Sequence, residues 1–83
     1  MAQNQTLPNL WLLSDERNDG VLDRALGRLP YGSGFVFRHY HLSAPDRRTR
    51  FEELARTARL NGHLVVLSDS PKNALEWGAD GLY

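Results

Sequence analysis

Cysteine is absent from the chain, which excludes a disulfide framework and any thiolate metal site. Neither charge sign is in excess: ten basic and ten acidic residues cancel, so nothing favours nucleic acid or an anionic membrane surface as the main partner. No apolar run approaches the roughly 20 residues that cross a bilayer. The opening "MAQNQTLPN" has neither the basic start nor the apolar centre of a secretory signal. These absences lead to the expectation of a cytoplasmic protein without membrane contact. What is present is an ordinary globular composition, 41% apolar over 83 residues. A chain of this size buries roughly 60% of its unfolded surface and makes at most one domain with a thin core.

Behind a polar leader over residues 1–9, "NLWLLSD" carries a short apolar run ending in Ser14 and Asp15, the pattern of a strand buried on both faces. Val21, Leu22, Ala25, Leu26 and Leu29 recur at helical spacing, with Asn18 or Asp19 available as a cap and Pro30 as a stop. "FVFRHY", introduced by Gly32 and Gly34, has the aromatic and β-branched residues of a second strand. Ser43 followed by Asp46 resembles a capping box, and Phe51, Leu54, Ala55 and Ala58 form the apolar stripe of the helix it opens. Arg48, Glu52, Arg56 and Arg59 occupy the opposite, solvated face, and Gly62 marks the end. "HLVVLSD" repeats the form of the first strand; Ser70 and Pro71 then open a third helix with Ala74, Leu75 and Trp77, closed by Gly78 before "ADGLY".

Strands alternating with helices predict an α/β fold of neighbouring parallel strands joined by right-handed crossovers. Such sheets place ligand sites beyond the carboxyl ends of the strands. Three ends are visible: Ser14, Asp15 and Glu16; Arg38, His39 and Tyr40; Ser68, Asp69 and Ser70. A guanidinium can hold a phosphate through two parallel bonds, and a carboxylate can share Mg²⁺ with phosphate oxygens, so Arg38 and Asp69 suit a phosphorylated ligand. The same residues have plainer uses, with Asp15 as a turn residue, Ser70 as a helix cap, and Arg38 and Asp69 as a structural ion pair. His39 and His41 have a spacing able to ligate zinc on one strand face, but no further ligand gathers with them. His63 reads as a partly exposed edge residue, and Trp11, Trp77, Phe35 and Phe37 as packing between sheet and helices.

The succession "LWLLSD", "FVFRHY", "VVLSDSPKNALEWGADGLY" resembles the first half of a thiamine-phosphate synthase, a (β/α)₈ barrel with motifs of the kind "LYLVTD", "QLREK" and "NDDVDLALALGADGVHLG". The tail matches best, keeping the spacing from acidic strand end to "GADG" without a gap. The resemblance implies transfer of a hydroxymethylpyrimidine group from its pyrophosphate ester to a thiazole phosphate, with Mg²⁺ holding the departing pyrophosphate. By position, Arg38 matches the family's pyrophosphate-binding arginine and Asp69 its Mg²⁺ ligand. Ser68 stands where the family has asparagine, Val36 where it has a pyrimidine-reading glutamine, and Tyr40 where it has a phosphate-binding lysine. Val36 lacks the hydrogen-bonding group of the glutamine, and Tyr40 the cation of the lysine.

The resemblance therefore implies a TIM-barrel type of fold of which residues 10–83 supply only the first half, since a full barrel takes about 250 residues. An isolated half is expected to be inactive as a transferase. Two alternatives stand beside this expectation: a non-catalytic or tautomerase-like relative that binds thiazole or thiamine phosphate, and an interaction protein whose half-barrels associate as a homodimer or with a separate C-terminal half. A receiver-like doubly wound domain is a further alternative on the two "LSD" strand ends.

Overall fold

The computed structural model describes residues 7–83, so that residues 1–6 of the expected polar leader lie outside the described residues. The chain order is β1 (Trp11–Leu13), a 3-10 turn (Asp19–Val21), α1 (Leu22–Arg28), β2 (Gly34–Phe37), α2 (Ala44–Leu60), β3 (Leu64–Leu67), α3 (Pro71–Trp77) and β4 (Gly81–Leu82). All strand pairs are parallel and the sheet order is β1-β2-β3-β4.

Register sorts the strand residues onto two faces, because successive side chains alternate. Phe35, Phe37, Val65 and Leu67, with Leu12, meet Leu22 and Leu26 of α1, Phe51, Leu54, Ala55 and Ala58 of α2, and Ala74 of α3 in one core. Phe37 and Phe51 pack edge to face with ring centres 5.3 Å apart, and Trp77 lies 5.8 Å from Phe51. The three helices thus share one face of the sheet. Trp11, Leu13, Val36, Leu64, Val66 and Gly81 line a groove of about 560 Å³ on the other face, which no helix covers among the described residues.

The expected stripe of α2 is fully enclosed and its bounds agree with Gly62, whose φ is 76°. Ser70 caps α3 by accepting the Asn73 N–H at 3.1 Å, and Gly78 ends it in the left-handed conformation that favours glycine.

Four local expectations are corrected. Ser43 makes no side-chain cap bond, so the capping box does not form. Asn18 does not cap α1; its side chain turns back to Leu13 O and to the Asp15 N–H, and the chain enters the helix through the 3-10 turn. β1 is an edge strand, so Trp11 is partly exposed and stands on the face away from the helices rather than between the layers. A Cβ on Gly34, its cross-strand partner, would lie 2.3 Å from the Trp11 ring, so the absence of a side chain there admits the indole. His63 is buried, not at an edge, because β3 is internal; its Nε2–H donates to Leu26 O at 2.8 Å.

Candidate functional site

Parallel strands bring their carboxyl ends to one rim. There Ser14, Asp15, Glu16, Arg38, His39, Tyr40 and His41 line a cleft of about 260 Å³. Ser14 and Arg38 are joined twice. The Arg38 N–H donates to Ser14 Oγ at 2.7 Å, and the guanidinium Nε–H donates to Ser14 O at 2.9 Å. Among the described residues, the terminal nitrogens of Arg38 have only a 3.8 Å approach to Asp15, and the side chain is 29% exposed. They therefore remain available to an oxyanion, in a cleft that half shields them from water.

Asp15 and Asn18 bond each other reciprocally, Asp15 N–H to Asn18 Oδ1 at 2.9 Å and Asn18 N–H to Asp15 Oδ1 at 3.1 Å. The Asn18 N–H, with Arg17 and Arg38 adding to it, holds the Asp15 carboxyl below the usual range. Asp15 is thus a turn residue that also limits the net charge of the cleft.

Asp69 is engaged elsewhere. Its Oδ2 accepts from Arg47, and its Oδ1 accepts the Ser70 N–H at 2.6 Å and the Asn73 amide at 3.1 Å. Partial burial opposes ionisation, but the Ser70 N–H, Asn73 and Arg47 outweigh it and hold the carboxyl low. The expected Arg38–Asp69 ion pair is not formed: Arg38 belongs to Ser14 and Asp69 to Arg47. Tyr40 and Ser68, the other two pocket candidates at these ends, hydrogen-bond each other through their hydroxyls. Val36 stands apart from this rim, its side chain lining the uncovered apolar groove beside Leu13 and Val66.

Arg47 is the residue that sequence reasoning passed over. It is 7% exposed, donates through Nε and Nη2 to Arg38 O at 2.9 and 2.6 Å, and through Nη2 to Ser68 O at 2.6 Å. Its guanidinium also lies over the rings of Phe37, Tyr40 and Trp77 at 5.4–5.8 Å. The signal was its phase: Arg47 precedes Phe51 by four residues and continues the buried stripe of α2 rather than its charged face.

His39 follows β2 with a left-handed φ of 35°, so it does not share a strand face with His41. Its ring is fully buried and stacks on Phe37 with centres 4.7 Å apart. Nδ1 is 2.8 Å from Ser14 Oγ and Nε2 is 2.5 Å from Asp19 Oδ1, an oxygen that also receives the Arg50 Nε–H at 2.8 Å. With both nitrogens occupied His39 does not fit a zinc site, and no group of three or more metal-ligating side chains occurs among the described residues.

Asp69, the expected ligand, does not fit Mg²⁺ either. The ion requires near-ideal octahedral oxygens, whereas both oxygens of Asp69 already accept protein hydrogen bonds, one of them from a guanidinium that would repel a cation. Comparison of the chain with protein-family models, curated proteins and solved structures finds no match in any of the three. No helix among the described residues is long and apolar enough to cross a membrane. The described residues form an α/β unit of four parallel strands with the helices on one face.

Proposed function

We propose that the chain is a half-barrel of TIM type that binds a phosphorylated small molecule at the carboxyl ends of its strands, in the manner of the first half of a thiamine-phosphate synthase. The observation that carries the reading is Arg38. Its backbone and Nε are fixed by Ser14 while its terminal nitrogens border an open cleft. A planar guanidinium held at one end, with only the 3.8 Å approach of Asp15 at the other, is suited to two parallel bonds with a phosphate. The barrel part of the proposal is supported by sequential strand order, by helices on a single face, and by the apolar face opposite, which in a closed barrel would be interior. A doubly wound domain would carry helices on both faces.

The ligands in this reading are hydroxymethylpyrimidine pyrophosphate and thiazole phosphate, taken from the family resemblance. The chemistry assigned to this chain stops at binding. Tyr40 supplies no cation, Val36 no hydrogen bond, and Asp69 is already bonded to Arg47, so the non-catalytic phosphate-binding relative is favoured over a working transferase. Calorimetric titration of the protein with pyrophosphate, with and without Mg²⁺, tests the reading. Binding that is lost in Arg38→Ala supports it, and equal binding by the variant overturns it.

A second reading is favoured by the uncovered groove and by the two sheet edges, β1 and β4, whose outward backbone groups need partners or solvent. Two copies related by a two-fold axis along the strands would pair β4 of each with β1 of the other and turn both grooves inward. Light scattering tests it: a dimer that persists on dilution supports it, and a folded monomer overturns it.

A further inference from the structure

Ser14, His39 and Asp19 form a chain of hydrogen bonds that phosphate binding by Arg38 does not by itself explain. The set has the residue types of a hydrolytic triad but not the use. Ser14 is fully buried and its hydroxyl oxygen already accepts the Arg38 N–H, so it is no nucleophile. The direction of each bond is determined. A carboxylate only accepts, so His39 Nε2 carries a hydrogen and donates it to Asp19. The neutral ring then has a bare Nδ1, to which the Ser14 hydroxyl must donate. The Ser14 oxygen is left with its lone pairs turned to the Arg38 N–H.

Protonation of the ring reverses one of these bonds. Nδ1 becomes a donor that competes with the Arg38 N–H for Ser14 Oγ, and the hydroxyl hydrogen, now without its acceptor in a fully buried position, favours rotation of the hydroxyl away from Arg38. We infer that His39 is the positioning residue of the Arg38 anion site: its neutral ring orients the Ser14 hydroxyl that holds Arg38, and protonation loosens that hold and weakens anion binding. The inference rests on the proposed oxyanion role of Arg38 and adds its regulation by protons.

The charged and titratable groups facing the ring come from every neighbouring element. Asp19 lies at the 3-10 turn, Arg50 of α2 shares its carboxylate, His41 of the following loop has its ring centre 4.9 Å away, and Arg47 of α2 lies over Phe37, the ring on which His39 stacks. Burial pushes His39 below the ordinary histidine range; the Asp19 carboxylate offsets part of this, while His41 and Arg50 add to it. The neutral form is therefore the resting one near neutrality.

Plain charge attraction predicts the opposite sign, since a new cation beside the cleft would strengthen anion binding. The experiment uses inorganic sulfate, whose charge is constant from pH 8 to 5, titrated into the whole protein while NMR follows the His39 ring and the Arg38 amide. The expected result is a loss of affinity of about tenfold on acidification, equivalent to one hydrogen bond. Its midpoint should be that of His39, and the ligand-free Arg38 amide should shift in step. In His39→Asn, a residue tolerant of left-handed φ, the acid loss should disappear. Affinity that rises or stays level on acidification, or an Arg38 amide indifferent to His39, overturns the inference and leaves the anion site standing. Absence of sulfate binding by the folded protein at every pH removes the site, and the inference with it.

Discussion

Arg47 of α2 donates to the Asp69 carboxylate at the end of β3, and the same guanidinium bonds Arg38 O at the end of β2. One buried side chain thus fastens the two central strands at the rim where Arg38 and Asp69 stand, and it removes from Asp69 the freedom to hold a metal.

Arg47→Ala is expected to destabilise the fold by about 3 kcal/mol, because it leaves one oxygen of the Asp69 carboxylate and two carbonyl oxygens without their donor. Arg47→Lys should recover only part, since an ammonium lacks the fork that reaches three acceptors. Urea denaturation of the three proteins checks this; an unchanged midpoint in the alanine variant would show that the clamp carries no stability.

Phe51 is fully buried between Phe37 and Trp77. Its replacement by alanine is expected to cost about 3–5 kcal/mol. That is a large share of the roughly 5–15 kcal/mol of a native domain, so Phe51→Ala should lower the urea midpoint sharply, and an unchanged midpoint would contradict the burial.

Much of this framework is legible in the chain itself. The stripe from Phe51 to Ala58, the Ser70 cap and the Gly78 stop are local patterns, and the strand–helix alternation fixes the parallel sheet. The site is less legible because its bonds join residues far apart: Arg47 to Asp69, Ser14 to His39, Asp19 to Arg50. Their types and spacings carry no trace of which partner each will meet. The face that Trp11 occupies is not legible, because three strand residues give too little alternation to tell which side of the sheet a large ring takes.

Gly34→Ala should displace the Trp11 indole, since the new methyl carbon would clash with its ring at 2.3 Å. A cost of about 1–3 kcal/mol follows from overpacking. With Trp77 replaced by phenylalanine in both proteins, the emission of Trp11 should shift to longer wavelength in the Gly34→Ala variant.

Acid should weaken the fold in two stages. His39 is depressed in the folded protein, so between its ordinary value of 6.5 and its lower folded value the unfolded chain binds the extra proton and stability falls as pH falls. Asp15, Asp19 and Asp69 are depressed below 3.8, so their contribution is present above that value and is lost beneath it. Urea midpoints from pH 7.5 to 3 should show the first stage and the onset of the second, and His39→Asn should abolish the first while leaving the Asp15 and Asp69 part of the second.

The central claim is that Arg38 is a phosphate-binding group, and pyrophosphate calorimetry on the wild type, Arg38→Ala and Arg38→Lys tests it most directly. Loss of a charge-assisted bond predicts affinity at least about tenfold weaker in Arg38→Ala, with Arg38→Lys intermediate and all three proteins folded. Equal affinities in the three would contradict the account, and the cleft at the strand ends would then have no claim to a phosphate.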